Sequence, residues 1–120
     1  MKNAINWFEI PVTDFGRAKK FYDSIFGVEL YEQMMGPYQM GFFPGEGVSG
    51  AIVKGDGYVP SQDGALIYLA AGEDLTGVMN KIEKAGGKVA QPKTKVTDEI
   101  GYISVFIDTE GNRVALHSPK

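Results

Sequence analysis

The sequence predicts an α+β fold in which two βαβββ modules, related by internal duplication, form curved mixed sheets around a central cleft. Two segments carry the apolar spacing of an amphipathic helix, each with an aspartate before it and a glycine after it. Asp14 and Asp74 lie 60 residues apart, as do Gly27 and Gly87, in a chain of 120 residues. The equal spacing indicates two copies of one unit, which must pack on each other because two copies are too few for a stacked array.

Each predicted helix presents one apolar stripe, because its hydrophobic residues recur at positions i, i+3, i+4 and i+7. A carboxylate at the start can cap the free amides of the first turn, and glycine tolerates the left-handed backbone that ends a helix. The two stripes consist of Ala18, Phe21, Tyr22 and Ile25, and of Leu75, Val78, Met79 and Ile82.

Each module is predicted to place one strand before its helix and three strands after it. The first module spans about residues 1–56 and the second about 64–120, with a glycine-rich surface linker over about 57–63. The predicted strands are Ala4–Val12, Val28–Gln33, Tyr38–Phe43 and Ser49–Lys54 in the first module, and Ala65–Ala71, Lys88–Lys93, Gly101–Ile107 and Arg113–Ser118 in the second.

Alternation along the first and last strands separates an apolar face, expected to pack on the helices, from a mixed face. Trp7 and Glu9 lie on one mixed face, and Arg113, Ala115 and His117 lie on the other. Two such faces set opposite each other would enclose a cleft. In the alternative interpretation the aromatic side chains fill a barrel core, and Glu9 forms a buried polar network with Arg113 or His117. Alternation leaves open whether four more residues line the cleft: Met40, Phe42, Tyr102 and Phe106.

Composition excludes several classes of site. The chain has no cysteine, so a disulfide framework, a thiolate zinc site and a cysteine nucleophile are absent. It has one histidine, His117, so no mechanism can draw two histidines from one chain. A net charge of −3 disfavours a nucleic-acid partner, and no apolar run is long enough for a membrane span. We expect a soluble, cytoplasmic protein.

Four segments resemble the vicinal oxygen chelate superfamily, which groups glyoxalase I, bleomycin-resistance proteins and extradiol dioxygenases. They are the strand and aspartate of residues 7–14, the helix of residues 18–22, the Phe-Gly pair at 26–27, and the closing turn and strand of residues 108–116. The resemblance covers the whole chain in two copies. It implies paired βαβββ modules, mixed sheets curved around a cavity, and often a homodimer.

The resemblance also implies four strand positions that hold a divalent metal in the family's enzymes. In this sequence those positions fall on Trp7, Ile67, Ala115 and a residue near Ala51. None of these side chains can donate a lone pair to such a cation. We therefore predict no metal and no other cofactor. The alternative is a divalent metal in a relocated site built on Glu9 and His117, which would have too few ligands to be stable.

The favoured function is binding of a small, partly apolar or aromatic molecule in the cleft, with Trp7 as a stacking wall and bleomycin-resistance proteins as the family precedent. The alternative is a glyoxalase-like enzyme (a lyase, isomerase or dioxygenase) acting on a small oxygenated metabolite, with Glu9 as the candidate general base. A second alternative is a dimeric scaffold without a ligand. The expected partners are a small molecule and a second copy of the chain, without nucleic acid or membrane. The predicted ligand-binding residues are Trp7, Glu9, Met40, Phe42, Ile67, Tyr102, Phe106, Arg113, Ala115 and His117.

Overall fold

The computed structural model describes residues 3–120, which form two four-stranded mixed sheets and two helices. No helix in this part of the chain is long and apolar enough to cross a membrane. In chain order the elements are β1 (Trp7–Pro11), α1 (Phe15–Phe26), β2 (Tyr31–Met35), β3 (Tyr38–Phe42), β4 (Ser49–Lys54), β5 (Tyr68–Ala70), α2 (Thr76–Ile82), β6 (Lys88–Thr97), β7 (Gly101–Ile107) and β8 (Arg113–Ser118).

The two sheets repeat one topology, which confirms the predicted fold class of duplicated βαβββ modules. The first sheet has the order β1-β4-β3-β2 and the second the order β5-β8-β7-β6. In each sheet the strand before the helix pairs in parallel with the last strand of the same module, and the remaining pairs are antiparallel. The strands predicted at Ser49–Lys54, Gly101–Ile107 and Arg113–Ser118 have the predicted bounds.

The other five strands differ from prediction: β1, β3 and β5 are shorter than the predicted Ala4–Val12, Tyr38–Phe43 and Ala65–Ala71, and β2 and β6 differ for local reasons. The segment predicted to begin a strand at Val28 instead stays bonded to the end of α1, because Asp23 accepts from the amides of Val28 and Leu30. The strand therefore begins at Tyr31. The strand from Lys88 runs past its predicted end to Thr97, and register shifts along its pairing with β7 accommodate the irregular stretch.

Helix α1 has both predicted ends. Asp14 is the N-cap, and its side chain accepts from the amide of Arg17 at 3.1 Å. Gly27 ends the helix in the left-handed conformation with φ 64°. The predicted stripe is buried on one side of the helix.

Helix α2 departs from the predicted repeat. Its N-cap position is Leu75, and Asp74 accepts from the amide and hydroxyl of Thr76 instead of capping the first turn. The helix ends at Ile82 with Glu83 at the C-cap position, and the amide of Gly87 donates to the carbonyl oxygen of Ile82 at 3.0 Å across the turn that follows. Gly87 is needed for close packing, since a Cβ there would lie 2.8 Å from the carbonyl oxygen of Ile107 and 2.8 Å from the ring of Phe21.

Both modules contribute to one hydrophobic core, which lies between their helix-facing sides. The ring of Tyr22 in α1 lies 5.6 Å from that of Phe43, beside β3, and 6.4 Å from that of Phe106 in β7. Helix α1 thus packs against both sheets, and α2 packs against α1. The helices fill the space between these two sides, so the opposite sides of the sheets point away from the shared core.

Polar contacts from the turn before β8 join the modules. The Tyr22 hydroxyl donates to buried Asp108 at 2.7 Å. The Asn112 side chain donates to the carbonyl oxygen of Pro11 at 2.7 Å. Burial, together with the negative charge and hydrogen bond of Asp108, raises the pKa of Tyr22 well above its ordinary value, so this hydroxyl remains a donor. The seam between the modules is therefore defined by specific hydrogen bonds as well as by apolar packing.

Candidate functional site

The structure divides the predicted site residues among three places. We name the outward side of the first sheet the Trp7 face; it carries Trp7, Glu9, Met40 and Phe42, together with Ala51 and Val53. The outward side of the second sheet, the His117 face, carries Arg113, Ala115 and His117 with Tyr68 and Ile103. The helix-facing side of the second sheet carries the remaining residues, Ile67, Tyr102 and Phe106.

The Trp7 face is rich in aromatic side chains. Trp7 is 46% exposed, and its ring lies 6.0 Å from that of Phe42. Tyr31 continues the row, with its ring 6.3 Å from Phe42. Met40 lies beneath them and is nearly buried at 8% exposure. The rings are tilted against one another by 51° and 35°, and this face therefore offers a row of partly exposed aromatic rings to a ligand.

Glu9 is the charged centre of the Trp7 face. Its Oε2 accepts from the indole Nε1 of Trp7 at 3.3 Å, and its Oε1 accepts from the hydroxyl of Tyr58 at 2.6 Å. The hydrogen bond to Glu9 raises the pKa of Tyr58 and keeps the phenol protonated. Within residues 3–120 no ion pair joins Glu9 to Arg113 or His117, so the network predicted between them is replaced by one with Tyr58 and Trp7.

A small cavity lies where the two modules meet, and we name it the inter-module cavity. Its volume is about 150 Å³, and Glu9, Ile67 and Arg113 all line it. The linker contributes Val59 and Ser61 to its wall. The cavity thus combines apolar walls with one carboxylate and one guanidinium, which suits a small molecule that has both apolar and polar groups.

The His117 face carries a wider, shallower hollow of about 560 Å³. The His117 Nε2 lies 2.6 Å from the carbonyl oxygen of Ile100, which holds the imidazole in place. Tyr68 and Ile100 are half-exposed in this hollow. Ala115 is fully buried and does not line the hollow. The hollow is lined by Tyr68, Ala70, Val96, Ile100, Ile103 and His117.

The prediction that Phe106 lines the ligand site is wrong. Phe106 is 0% exposed and its ring lies 5.9 Å from that of Phe21 in the core. Tyr102 lies on the same side of β7, where Lys93 Nζ sits 4.6 Å from its ring centroid. The reason is the pairing register of β7 with β8, which places Val105 opposite Ala115 and Phe106 opposite Val114. Ile103, Val105 and Ile107 are therefore β7 residues on the His117 face.

The repeat that placed Ile67 opposite Trp7 is one residue out of phase in the structure. The amides of Val12 and Ala71 make equivalent 2.9 Å bonds to the last strand of their modules, and these residues are 59 positions apart, not 60. The counterpart of Trp7 is therefore Leu66, and Tyr68, which pairs with Ala115 as Glu9 pairs with Ala51, is the counterpart of Glu9. Ile67 reaches the site only through the inter-module cavity. No group of three histidine, aspartate or glutamate side chains with metal-holding geometry occurs in the described part of the chain.

Sequence reasoning missed Tyr58 and Tyr68. Tyr68 was hidden by the one-residue shift in the repeat. Tyr58 follows Gly55 and Gly57 in a segment interpreted only as a linker. An aromatic residue between glycines was the available signal, because glycines let a chain turn sharply and bring its neighbour back onto the sheet.

The chain matches one family model over residues 4–116, described as the Glyoxalase/Bleomycin resistance protein/Dioxygenase superfamily. A putative glyoxylase of Mycobacterium tuberculosis is 30% identical over 115 residues; the match covers 92% of this chain, which spans only 44% of that relative's length. A glyoxylase-like domain-containing protein of Didymella fabae is 30% identical over 122 residues, covering 93% of this chain and 91% of the relative.

Solved structures share the fold at low sequence identity. A glyoxalase/bleomycin resistance protein from Albidiferax ferrireducens superimposes with a TM-score of 0.74 at 18% identity, covering 95% of this chain and 97% of the other. Glyoxalase I from Zea mays superimposes with a TM-score of 0.72 at 18% identity, covering 95% of this chain and 44% of the other.

Proposed function

Because the chain belongs to the Glyoxalase/Bleomycin resistance protein/Dioxygenase superfamily, we propose that it is a metal-independent member that binds a small, partly apolar molecule. The observation that carries the proposal is the inter-module cavity, where Glu9, Ile67 and Arg113 meet. These three residues come from different strands or loops of both modules, so only the folded chain assembles the site.

The loss of the metal is part of the proposal. Trp7 and Ala115 occupy two of the positions that the family resemblance assigns to ligands, and Ala51 pairs beside Glu9 in β4. A methyl group or an indole cannot coordinate a divalent cation. The single histidine is bonded to a backbone carbonyl on the His117 face. The donor set therefore does not fit a family metal, and no step of the proposed function passes through one.

The size of the inter-module cavity limits the ligand. An apolar cavity of about 150 Å³ admits a molecule the size of benzene. Arg113 has no salt-bridge partner among residues 3–120, and its guanidinium can receive a carboxylate with two parallel hydrogen bonds. We therefore favour a molecule with one small ring or a short aliphatic chain and one or two polar groups.

The substitution Arg113→Gln tests this assignment, with benzoate as the acidic probe and benzyl alcohol as its neutral counterpart. We expect wild type to bind benzoate and the variant to bind it roughly tenfold more weakly, since a charge-assisted bond is lost. Isothermal titration calorimetry measures both affinities. Lys20→Gln is the matched control, because it removes the same charge from an exposed site on α1. Equal weakening by both variants would contradict a specific role for Arg113.

We further propose that the protein acts as a homodimer. The Trp7 face and the His117 face lie on opposite sides of the shared core and both expose large apolar side chains, including Tyr31 at 66% and Ile100 at 51%. Covering such surfaces is favourable, and large contiguous apolar patches are unusual on monomers. A second copy that laid its Trp7 face on the His117 face would bury both sets of residues.

A further inference from the structure

We propose that the carboxylate of Glu9 forms a binding site for a phenolic hydroxyl, and that Tyr58 of the linker is an internal occupant which the ligand displaces. The inference rests on the proposed function, because it names the chemical class that the same ligand site takes. The ring of that ligand would lie on the Trp7 face, beside Glu9.

The Tyr58 side chain makes the contacts that a bound phenol would make in the same place. Its hydroxyl donates to Glu9 Oε1 at 2.6 Å, and its ring makes an edge contact with Tyr38 at 5.5 Å. It also packs against the buried cluster of Met40, Ala51 and Val53 on this face. The linker has therefore placed one half-exposed phenol against an apolar surface, an aromatic ring and a hydrogen-bond acceptor; the space that its side chain fills is named the Tyr58 pocket.

The backbone before Tyr58 is built for this placement. A Cβ on Gly55 would lie 2.3 Å from the Tyr38 ring, so only glycine lets the chain pass so close. Gly57 has φ +88°, which favours glycine as well, and the amide of Tyr58 donates to the carbonyl oxygen of Gly55 at 3.1 Å. This tight turn returns the Tyr58 side chain to the sheet that the chain has just left.

The rest of the linker is only lightly attached. Val59 is 75% exposed, and among its neighbours Ser61 is held by a hydrogen bond from its amide to Asn112. A segment with few buried contacts can open at low cost in free energy. Val59 and Ser61 also line the inter-module cavity, so lifting the linker would join the Tyr58 pocket to that cavity.

The acceptor at the bottom of the pocket selects the ligand class. A carboxylate accepts hydrogen bonds, and its second oxygen is already occupied by the Trp7 indole. A phenol supplies the one donor that the Tyr58 hydroxyl supplies now. A carboxylate or a ketone in the same place would bring an acceptor against an acceptor and leave Glu9 Oε1 without a hydrogen bond from the ligand.

The substitution Tyr58→Ala empties the pocket, and 4-methylphenol, which matches the tyrosine side chain, is the probe. Toluene is the same molecule without the hydroxyl. Trp7 is the sole tryptophan and is bonded to Glu9, so its fluorescence reports occupancy directly. We expect Tyr58→Ala to bind 4-methylphenol about tenfold more tightly than wild type, and to prefer it about tenfold over toluene.

Two further variants make the result specific. Adding Glu9→Gln to Tyr58→Ala should reduce the preference for 4-methylphenol over toluene severalfold, since the charged acceptor is lost. Tyr68→Ala removes a tyrosine that is 50% exposed on the His117 face, away from Glu9, and should bind 4-methylphenol as wild type does. If Tyr58→Ala is poorly folded, Tyr58→Phe keeps the ring, frees Glu9 Oε1 and should still bind 4-methylphenol more tightly than wild type.

Displacement in the wild-type protein is the decisive measurement. At saturating 4-methylphenol, amide hydrogen exchange in residues 55–64 should become faster while exchange in α1 does not. Unchanged exchange there, equal affinity of Tyr58→Ala for 4-methylphenol and toluene, or no saturable binding to wild type would overturn the proposal. In each of those cases, benzoate binding that still depends on Arg113 would show that only this inference fails. Loss of that benzoate binding as well would contradict the proposed function.

Discussion

A single side chain from the second module holds the start of the first helix. The Glu110 side chain is fully buried and its Oε1 accepts from the amides of Thr13 and Asp14 at 2.9 and 2.7 Å. Its Oε2 accepts from Arg17 Nε at 2.7 Å. Burial alone would raise the pKa of Glu110, but the hydrogen bonds from Arg17, Asp14 and Thr13 outweigh it and lower the pKa to about 2.

This carboxylate should make the stability of the protein sensitive to acid. Because the pKa of Glu110 is lower in the folded state, its contribution is complete above the unfolded value near 4.5 and is lost as the pH falls toward about 2. We expect Glu110→Gln to lower the free energy of unfolding at pH 7 by about 2 kcal/mol, as measured by urea denaturation. The difference from wild type should shrink below pH 4. Glu46→Gln, in an exposed turn, is the control and should change little.

At the scale of elements, α2 and the strand after it are placed by close packing more than by helix-end chemistry. Helix α2 has no side-chain cap at Leu75, and its short span ends before the glycine pair at 86–87. Gly87 lies against Phe21 of α1 and against β7. The contact between the modules therefore requires glycine at position 87, because a methyl group there would be too close to its neighbours.

Two alanine substitutions in this region should act in opposite directions. Gly87→Ala inserts a Cβ at 2.8 Å from the Ile107 carbonyl oxygen and should destabilise the protein by about 1–3 kcal/mol, because the core must shift. Gly77→Ala, on α2 with nothing within 4 Å, should stabilise it by about 0.5–1 kcal/mol, since alanine favours a helix. Thermal or urea unfolding measures both. A Gly87→Ala variant as stable as wild type would contradict the role of close packing at this contact.

At the scale of the whole molecule, the two modules share one core and turn their other faces outward. The outward faces carry seven of the ten residues predicted for ligand binding, and the large side chains Trp7, Tyr31, Tyr68 and Ile100 are at least 46% exposed there. If these faces stay exposed to water, their apolar area contributes nothing to stability, whereas covering them with a second copy would be favourable. The proposed homodimer follows from this arrangement of faces.

The oligomeric state tests that arrangement. Ile100→Lys places a charge in the hollow of the His117 face and should weaken a dimer that buries it by at least tenfold, because an unpaired charge resists burial. Sedimentation velocity across a dilution series measures the dissociation constant. Val28→Lys is the matched control, since Val28 is 37% exposed and lies between α1 and β2, outside both named faces. A monomeric wild-type protein at all concentrations would contradict the proposed dimer.

The sequence by itself determined the duplicated βαβββ topology, the bounds of three strands and both ends of α1, because each depends on local periodicity and capping. It also separated the two sides of β1 correctly, since alternation is strict within a strand and Trp7 and Glu9 do share one face. Local signals of this kind extend over a few residues and need no knowledge of the partner strand.

The tertiary structure alone decided which side of β5 and β7 faces the site, and where the linker lies. A one-residue difference in the repeat turned Ile67 to the helix-facing side and put Tyr68 on the His117 face as the counterpart of Glu9. Pairing with β8 turned Phe106 into the core. Tyr58 reaches Glu9 across 49 residues of chain. These outcomes depend on the relative placement of distant segments, and a strand's facing reverses with each residue of shift, so no local pattern could specify them.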